Sequence, residues 1–424
     1  MRPGARIQAV IDLAGAVGQA ARAGGAPADV ILRDYFRPRR YAGSKDRRAV
    51  ADLLFAVLRR RVELDWRLDA DADARLAVLL HLCLEGETVQ RLAALFAGDD
   101  HAPAPPSADE AAALEAAARR DLYHAPAWAR LNFPEWLQPS FERRFGDRLE
   151  AEMAALDGRA PLDLRVNTLR GTVEQALAAL PGASQGGLLA TALRLPPGHD
   201  ISHEAIYLKG VVEIQDEASQ AGAALAGAAP GLQVLDLCAG GGGKALAMAA
   251  RMASRGQIFA YDADPKRLER MRPRAKRAGA TNIQYVRAAA ALPAGMDRVV
   301  LDVPCSGTGT WRRSPELRTR LTPDRLEGLV RLQDELLDRG AALVGPGGRL
   351  VYMTCSLLPE EDEDRVAAFL DRNGGFRAVP YGDAWPAEEG APPATLSAVP
   401  DYLVLSPASH RTDGFFVAVL QRSN

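Results

Sequence analysis

The sequence predicts an α/β protein. A mainly parallel sheet with helices on both faces is expected from about residue 201 onward, preceded by a small α+β module and an all-helical domain. Two patterns carry this reading. From about Ile201, strand-like and helix-like segments alternate, as a parallel sheet with crossover helices requires. Before Leu95, apolar residues recur only at helical spacing, as in Ala49, Leu53, Leu54, Val57 and Leu58. A length of 424 residues leaves room for two or three domains, and no repeat of about 20–50 residues is evident.

The first domain, residues 1–110, opens with an amphipathic helix whose apolar run is broken by Asp12, unlike a signal peptide. Within it, residues 31–61 carry ten Lys or Arg against three Asp, a density that suits phosphate contacts or a solvated helical face. Residues 97–110, AGDDHAPAPPSADE, read as a linker. Residues 111–200 form the α+β module, with a strand through Leu162, Leu164 and Val166 and a helix from Val173 to Leu180. In residues 201–424, GLQVLDLCAG is a strand entering a glycine run and GKALAMAARMA a helix. QIFAYDAD, NIQYVRA, DRVVLDVPC and GRLVYMTC are further strands separated by helical segments, and SHRTDGFFVAVL adds a last strand, expected antiparallel at the edge.

Composition excludes several classes. With 48% hydrophobic residues, 25% charged residues and a net charge of −2, the chain is neither histone-like nor an acidic disordered polymer, so any nucleic-acid surface must be a local patch. Cys83, Cys238, Cys305 and Cys355 are too scattered for a disulfide framework or a zinc site, which points to a reducing cytoplasm without a metal. No apolar run is long enough to span a membrane.

In DLCAGGGGKA, Asp236 ends a strand and Gly240 to Gly243 let a ligand approach the backbone where a helix begins. The loose G-x-G-x-x-A match through Gly240, Gly242 and Ala245, with Asp262 placed to hold a ribose hydroxyl, fits NAD as well as S-adenosylmethionine. A phosphate loop is excluded, because Cys238 and Ala245 replace its first glycine and its Ser/Thr. Lys244 beside a helix amino terminus requires a nearby anion, which a ligand carboxylate would supply. Cys83 and Cys238 read as small buried hydrophobes. Cys305 and Cys355 differ: each closes a strand, in DVPC and TCS, so both should face the crevice at the carboxyl ends of the sheet. A thiolate, a carboxyl group and a methyl donor suit methylation of cytosine carbon 5. Addition of the thiolate to carbon 6 makes an enamine, a carboxylic acid at N3, the role open to Asp302, stabilises the charge, and a second thiol or a water removes the carbon 5 proton.

GLQVLDLCAGGGGKA, AYDADPKRLERM, DRVVLDVPCSGTGTWRRSPELR and GRLVYMTCSLLPEEDEDRV together resemble the RNA cytosine-5 methyltransferases of the RsmB/NOP (Sun, NSUN-type) family. LRVNTLR, KGVVEIQDEASQ and RTDGFFVAVL extend the likeness over residues 130–424, and DVILRDYFRPRRYAGSKDRRAVADLLFAVLRR resembles a NusB-type RNA-binding domain. The resemblance implies a Rossmann-like class I methyltransferase domain, an RRM-like module before it and a NusB-like helical domain. It implies S-adenosyl-L-methionine as cofactor and 16S ribosomal RNA as substrate, with Cys355 the nucleophile and Cys305 assisting product release. Cofactor positions carry over to Cys238, Ala239, Gly240, Gly241, Gly242, Gly243, Lys244, Asp262 and Asp302. RNA-facing positions carry over to Arg165, Asn167, Trp311, Arg312 and Arg313, and the basic start adds Arg47 and Arg48. The chain departs from the family pattern at Gly241 and Ala245, where proline and threonine are usual. It also departs at Val286-Arg287-Ala288-Ala289, which lacks an acidic residue expected near the cofactor adenine.

Other readings stay open on the residues alone: a transfer RNA methyltransferase on the same scaffold, an RNA-binding ribosome-assembly factor with a weakened cofactor pocket, and, more distantly, an NAD dehydrogenase. The acidic run Glu360 to Asp364 is expected to complement a helix amino terminus. The basic helix from Lys266 to Arg277 is expected to present a solvated face. The chain is expected to act as a monomer.

Overall fold

The helical spacing of the N-terminal region becomes packed helices in the computed structural model, which describes residues 1–69 and 73–424. Helices Pro3–Ala23, Ser44–Arg59 and Ala74–Leu84 pack on one another. Val10, Leu13, Val50, Leu54 and Leu79 are among their fully buried residues. Proline in its first turn and Gly24 in the left-handed region (φ 68°) bound the first helix.

The chain divides into two units, Met1–Pro139 with Trp311–Pro323, and Ser140–Thr310 with Asp324–Asn424. The first unit thus runs past residue 110. The expected linker 97–110 ends in a reciprocal Ser107–Glu110 capping box that starts helix Ala108–Arg119. Arg75 donates to Glu110 Oε1 at 2.7 Å and ties that start to helix Ala74–Leu84. The unit also takes in a segment remote in sequence: Ala28 N donates to Glu316 Oε1 at 3.2 Å, and Arg320 donates to Ala20 O at 3.3 Å.

In the second unit, strands β1 (Leu162–Val166), β2 (Ser184–Gln185), β3 (Ala192–Leu195) and β4 (Val212–Ile214) form an antiparallel sheet in the order β2-β3-β1-β4. Helix Val173–Ala179, capped reciprocally by Thr172 and Gln175, follows β1. The module continues beyond residue 200, because Glu213 of β4 pairs with Arg165 of β1 and so completes the sheet.

The larger sheet contains β5 (Gln233–Asp236), β6 (Gln257–Ala260), β7 (Ile283–Tyr285), β8 (Met296–Asp302), β9 (Val344–Thr354), β10 (Phe376–Val379), β11 (Leu403–Leu405) and β12 (Phe415–Arg422). Its order is β10-β12-β9-β8-β5-β6-β7, with β11 also on β12. β7, β6, β5, β8 and β9 are mutually parallel. The last strand is antiparallel as expected, yet it lies inside the sheet between β9 and β10 rather than at an edge. Its unbroken apolar run, buried from Phe415 to Leu420, suits a strand covered on both faces.

The loop after β8 meets the segment before β12 backbone to backbone: Gly414 N donates to Gly309 O at 2.8 Å, and a β-carbon on Gly309 would sit 2.2 Å from Gly414 O. Gly309→Ala is therefore expected to destabilise the second unit by about 1–3 kcal/mol, read as a lower urea midpoint at unchanged slope. An unaltered midpoint would show that the two segments can part freely.

Candidate active site

The order β8-β5-β6 places β5 at the switch point of the parallel strands, where ligands bind at the carboxyl ends. The chain leaves β5 through Asp236 into a glycine run with Gly240 (φ 52°) and Gly242 (φ 85°) in the left-handed region. Gly242 is also required by space, since a β-carbon there would lie 2.3 Å from Met271 Cγ. Asp262, after β6, accepts from Gly240 N at 2.8 Å and from Asp264 N at 2.9 Å, so it shapes the loop before it holds any ligand.

The loop opens on a cavity of about 170 Å³ lined in part by Gln215, Asp236, Cys238, Lys244, Arg274 and Asp302. Lys244 Nζ lies 2.6 Å from Asp302 Oδ2, so the end of β8 supplies an anion to Lys244. Asp236 is buried, and both its side-chain oxygens lack a hydrogen-bond partner among the described residues. Burial first, then the neighbouring Asp302, pushes its carboxyl up to about 7, against the pull of Lys244. Burial and the same acids push the Cys238 thiol up, which fits a lining role and not a nucleophile. An orphaned buried carboxylate over a glycine cradle fits a ligand that carries an ammonium and a nucleoside, such as S-adenosyl-L-methionine.

The strand-end thiols converge. Cys305 Sγ and Cys355 Sγ are 3.3 Å apart, and both residues are half-buried. The hydrogen bond with Cys355, followed by burial, holds the Cys305 thiol well above the usual thiol range. Around the thiols the β8 and β9 loops are laced together: Gly309 N donates to Cys355 O at 3.0 Å and Leu357 N to Thr308 Oγ1 at 2.8 Å.

Other expected site residues have surroundings of their own. Asn167 is buried and spends its amide on Gly210 O (2.9 Å) and Ala278 O (2.8 Å), so it locks the α+β module to helix Pro265–Ala278 instead of facing outward. Arg165 is buried, donates to Gln215 Oε1 at 2.8 Å and lines a separate cavity of about 280 Å³; burial lowers its guanidinium to about 10. Trp311 and Arg312 are buried and Arg313 half-buried within the first unit. Arg47 and Arg48 are exposed there, as are Arg33, Arg37, Arg40 and Lys45, whereas Arg60 pairs with Glu63 and Arg61 with Asp65.

The sequence reading missed several members of the site. Arg274 donates to Gly241 O at 2.6 Å and to the buried Glu213, so helix Pro265–Ala278 turns basic residues toward the glycine loop as well as toward solvent. Gln215, within QDEAS, reaches the cavity. The acidic run lies at a helix amino terminus as expected, with Asp362 at the cap and Glu363 and Asp364 in the first turn, but Glu361 and Asp362 are also buried beside the thiol loops. Arg287, where an acid was expected, lies 3.6 Å from Glu269.

Residues 225–421 match the family described as 16S rRNA methyltransferase RsmB/F, and residues 133–214 match the ferredoxin-like domain of RsmF/B-like methyltransferases. Over 405 residues the chain is 32% identical to the ribosomal RNA small subunit methyltransferase B of Xanthomonas campestris pv. campestris, covering 90% of each. It is 34% identical over 312 residues to the probable ribosomal RNA small subunit methyltransferase B of Synechocystis sp., covering 69% of this chain and 67% of that one. A methyltransferase homolog protein from Pyrococcus horikoshii superposes with a TM-score of 0.59 at 27% identity, over 70% of this chain and 97% of that one.

Asp236 gives the site a pH signature. Its folded value of about 7 lies above the ordinary carboxylate value, so its contribution to stability is complete below about pH 4 and is lost as pH rises through about 7. Asp236→Asn is therefore expected to raise the unfolding temperature more at pH 8 than at pH 4.5. Equal shifts at both values would remove the buried carboxylate as their cause.

Proposed function

The chain belongs to the RsmB/F family of 16S ribosomal RNA methyltransferases, and from that premise we propose that it methylates carbon 5 of a cytosine in small-subunit ribosomal RNA. In this reading Cys355 is the nucleophile, Cys305 the group that resolves the adduct, and S-adenosyl-L-methionine the methyl donor. The observation that carries the reading is the pair of strand-end thiols 3.3 Å apart, on the loop that follows Asp302 and at the end of the strand beside it.

Two thiols this close cannot both ionise without strong repulsion, so one proton is shared between them. The pair loses a proton, Cys305 stays the thiol, and Cys355 attacks carbon 6 as the thiolate. Asp302 takes up, through solvent, the proton that the pair releases, donates a hydrogen bond to the base N3 and stabilises the charge that arises there, with Lys244 steadying its carboxyl group. When bound, the cofactor supplies an electrophilic methyl group. The glycine run 240–243 would cradle its nucleoside and Asp236 would take its ammonium, while Asp262, which holds the loop through Gly240 N, would offer a lone pair to a ribose hydroxyl. Adduct formation turns Cys355 into a neutral thioether and removes the first cause of the high Cys305 pKa. Cys305 can then give its proton to solvent water and, as the thiolate, take the one on carbon 5. The carbon–hydrogen electron pair re-forms the C5=C6 double bond, and the C6–S pair returns to Cys355.

RNA recognition is assigned to the NusB-like helical region through the exposed Arg47 and Arg48, and to the RRM-like module as a whole, whose Arg165 is buried on Gln215 and supports the sheet from within. The strand–helix–strand–strand–helix–strand order of that module, with sheet order β2-β3-β1-β4, supports the second assignment. The test is transfer of labelled methyl to unmodified ribosomal and transfer RNA, followed by nucleoside analysis. 5-Methylcytidine in ribosomal RNA is expected. Cys355→Ala should lower transfer by about three orders of magnitude or more, and Cys305→Ala should leave a denaturant-resistant protein–RNA adduct. Normal methylation by both variants would end the two-thiol mechanism.

A further inference from the structure

The two acids that follow the Cys355 loop, Glu361 and Asp362, are each 0% exposed. A helix start needs only an exposed carboxylate near its first turn, so the cost of burying these two requires a further cause. Each of them grips the loop of one thiol. Glu361 accepts from Ser306 N at 2.9 Å and from Ser306 Oγ, next to Cys305. It also accepts from Gln333 Nε2 at 2.9 Å, and that nitrogen donates in turn to Pro304 O at 3.0 Å on the other side of Cys305. Asp362 accepts from Thr354 Oγ1 at 2.5 Å, just before Cys355, and is paired with the buried Arg144 at 2.9 Å. Ser306 Oγ and Ser356 Oγ, 3.1 Å apart, join the two halves. Burial raises the Glu361 carboxyl while its hydrogen bonds from Ser306, Ser356 and Gln333 oppose the rise, as in a group held for its acceptor geometry.

We propose that Glu361 is a positioning residue that holds Cys305 against Cys355 through Ser306 and Gln333, while Asp362 holds the Cys355 loop from the other side. The proposal rests on the two-thiol reading above. It assigns Glu361 to the second half of the reaction: the carbon 5–hydrogen bond breaks, the proton forms a bond to Cys305 sulfur, the freed pair re-forms C5=C6, and the C6–S pair leaves with Cys355. A Cys305 that drifts from its place slows this elimination and leaves the addition by Cys355 in place.

The experiment uses the full chain with S-adenosyl-L-methionine and unmodified small-subunit ribosomal RNA, and compares Glu361→Gln, Ser306→Ala and Cys305→Ala. Glu361→Gln is expected to lower turnover by about 10- to 100-fold while the denaturant-resistant adduct accumulates. Its affinity for S-adenosylhomocysteine should stay within about twofold of the unaltered protein, a split that a general loss of structure would not give. Ser306→Ala should move in the same direction by a smaller factor. Unaltered turnover in Glu361→Gln, or lost turnover without adduct and with weakened cofactor binding, overturns the proposal. If Glu361→Gln does not fold, Ser306→Ala decides: accumulated adduct supports the positioning role and normal release overturns it. Cys305→Ala separates the two levels. No adduct there fells the two-thiol reading and the positioning role with it, whereas adduct in Cys305→Ala but not in Glu361→Gln fells the positioning role alone.

Discussion

The site depends on the parallel pairing of β8 and β9. From Arg298 opposite Arg349 to Asp302 opposite Met353, the two strands run in step and end at one level. Parallel strands deliver their carboxyl ends to the same edge, so the segments that follow, with Cys305 on one and Cys355 on the other, emerge side by side. β5 flanks β8 on the other side, with Asp236 opposite Val300, and adds the glycine loop to that edge. β12 closes the arrangement from the far side of β9, with Phe416 opposite Thr354, and the ring of Phe415 lies 4.9 Å from Lys244 Nζ. A slip of one residue between β8 and β9 would move the two strand ends, and the loops that carry the thiols, out of step.

Electrostatics at this edge is deliberately unbalanced. Asp236 and Asp302 line one cavity, with Lys244 paired to Asp302, and Asp262 stands behind the glycine loop with Arg267 3.4 Å away. Among the described residues Asp236 has no ion-pair partner, which leaves an attraction for a cationic ligand group in place of a satisfied ion pair. The α+β module contributes to the same balance. Glu213, on β4, clamps Arg274 and Arg277 at 3.1 and 2.6 Å, and Arg274 reaches on to Gly241 O. Backbone geometry of the glycine loop is thus tied to a strand of the neighbouring sheet.

What the sequence made legible was local. The glycine run announces a backbone-hugging ligand site, and the closing positions of DVPC and TCS announce thiols at strand ends, because strand periodicity and chain reversal are written in nearest neighbours. Partnerships across long separations were not legible. Nothing near Lys244 names Asp302 as its anion, and nothing near Asn167 shows that Ala278 will take its amide. The acidic run after Cys355 reads as a helix start because Glu363 and Asp364 do occupy the first turn. The inward turn of Glu361 and Asp362 depends on Ser306, Gln333 and Arg144, which are remote in sequence. The place of β12 was hidden for the same reason, since β10 and β11, which cover it, are short segments without strong alternation.

One consequence concerns the order in which the molecule is made. The first unit looks like a leading domain, yet it is completed by Trp311–Pro323, and the partner that Ala28 finds in Glu316 lies 288 residues downstream. At a synthesis rate of about 5–20 residues per second, the amino-terminal helices wait many seconds for the segment that finishes them, while β5 to β8 of the other unit emerge in between. The two units are therefore interleaved in time as well as in sequence. A fragment cut at Pro139 lacks part of its own wall, and the first unit is closed only after most of the second has been made.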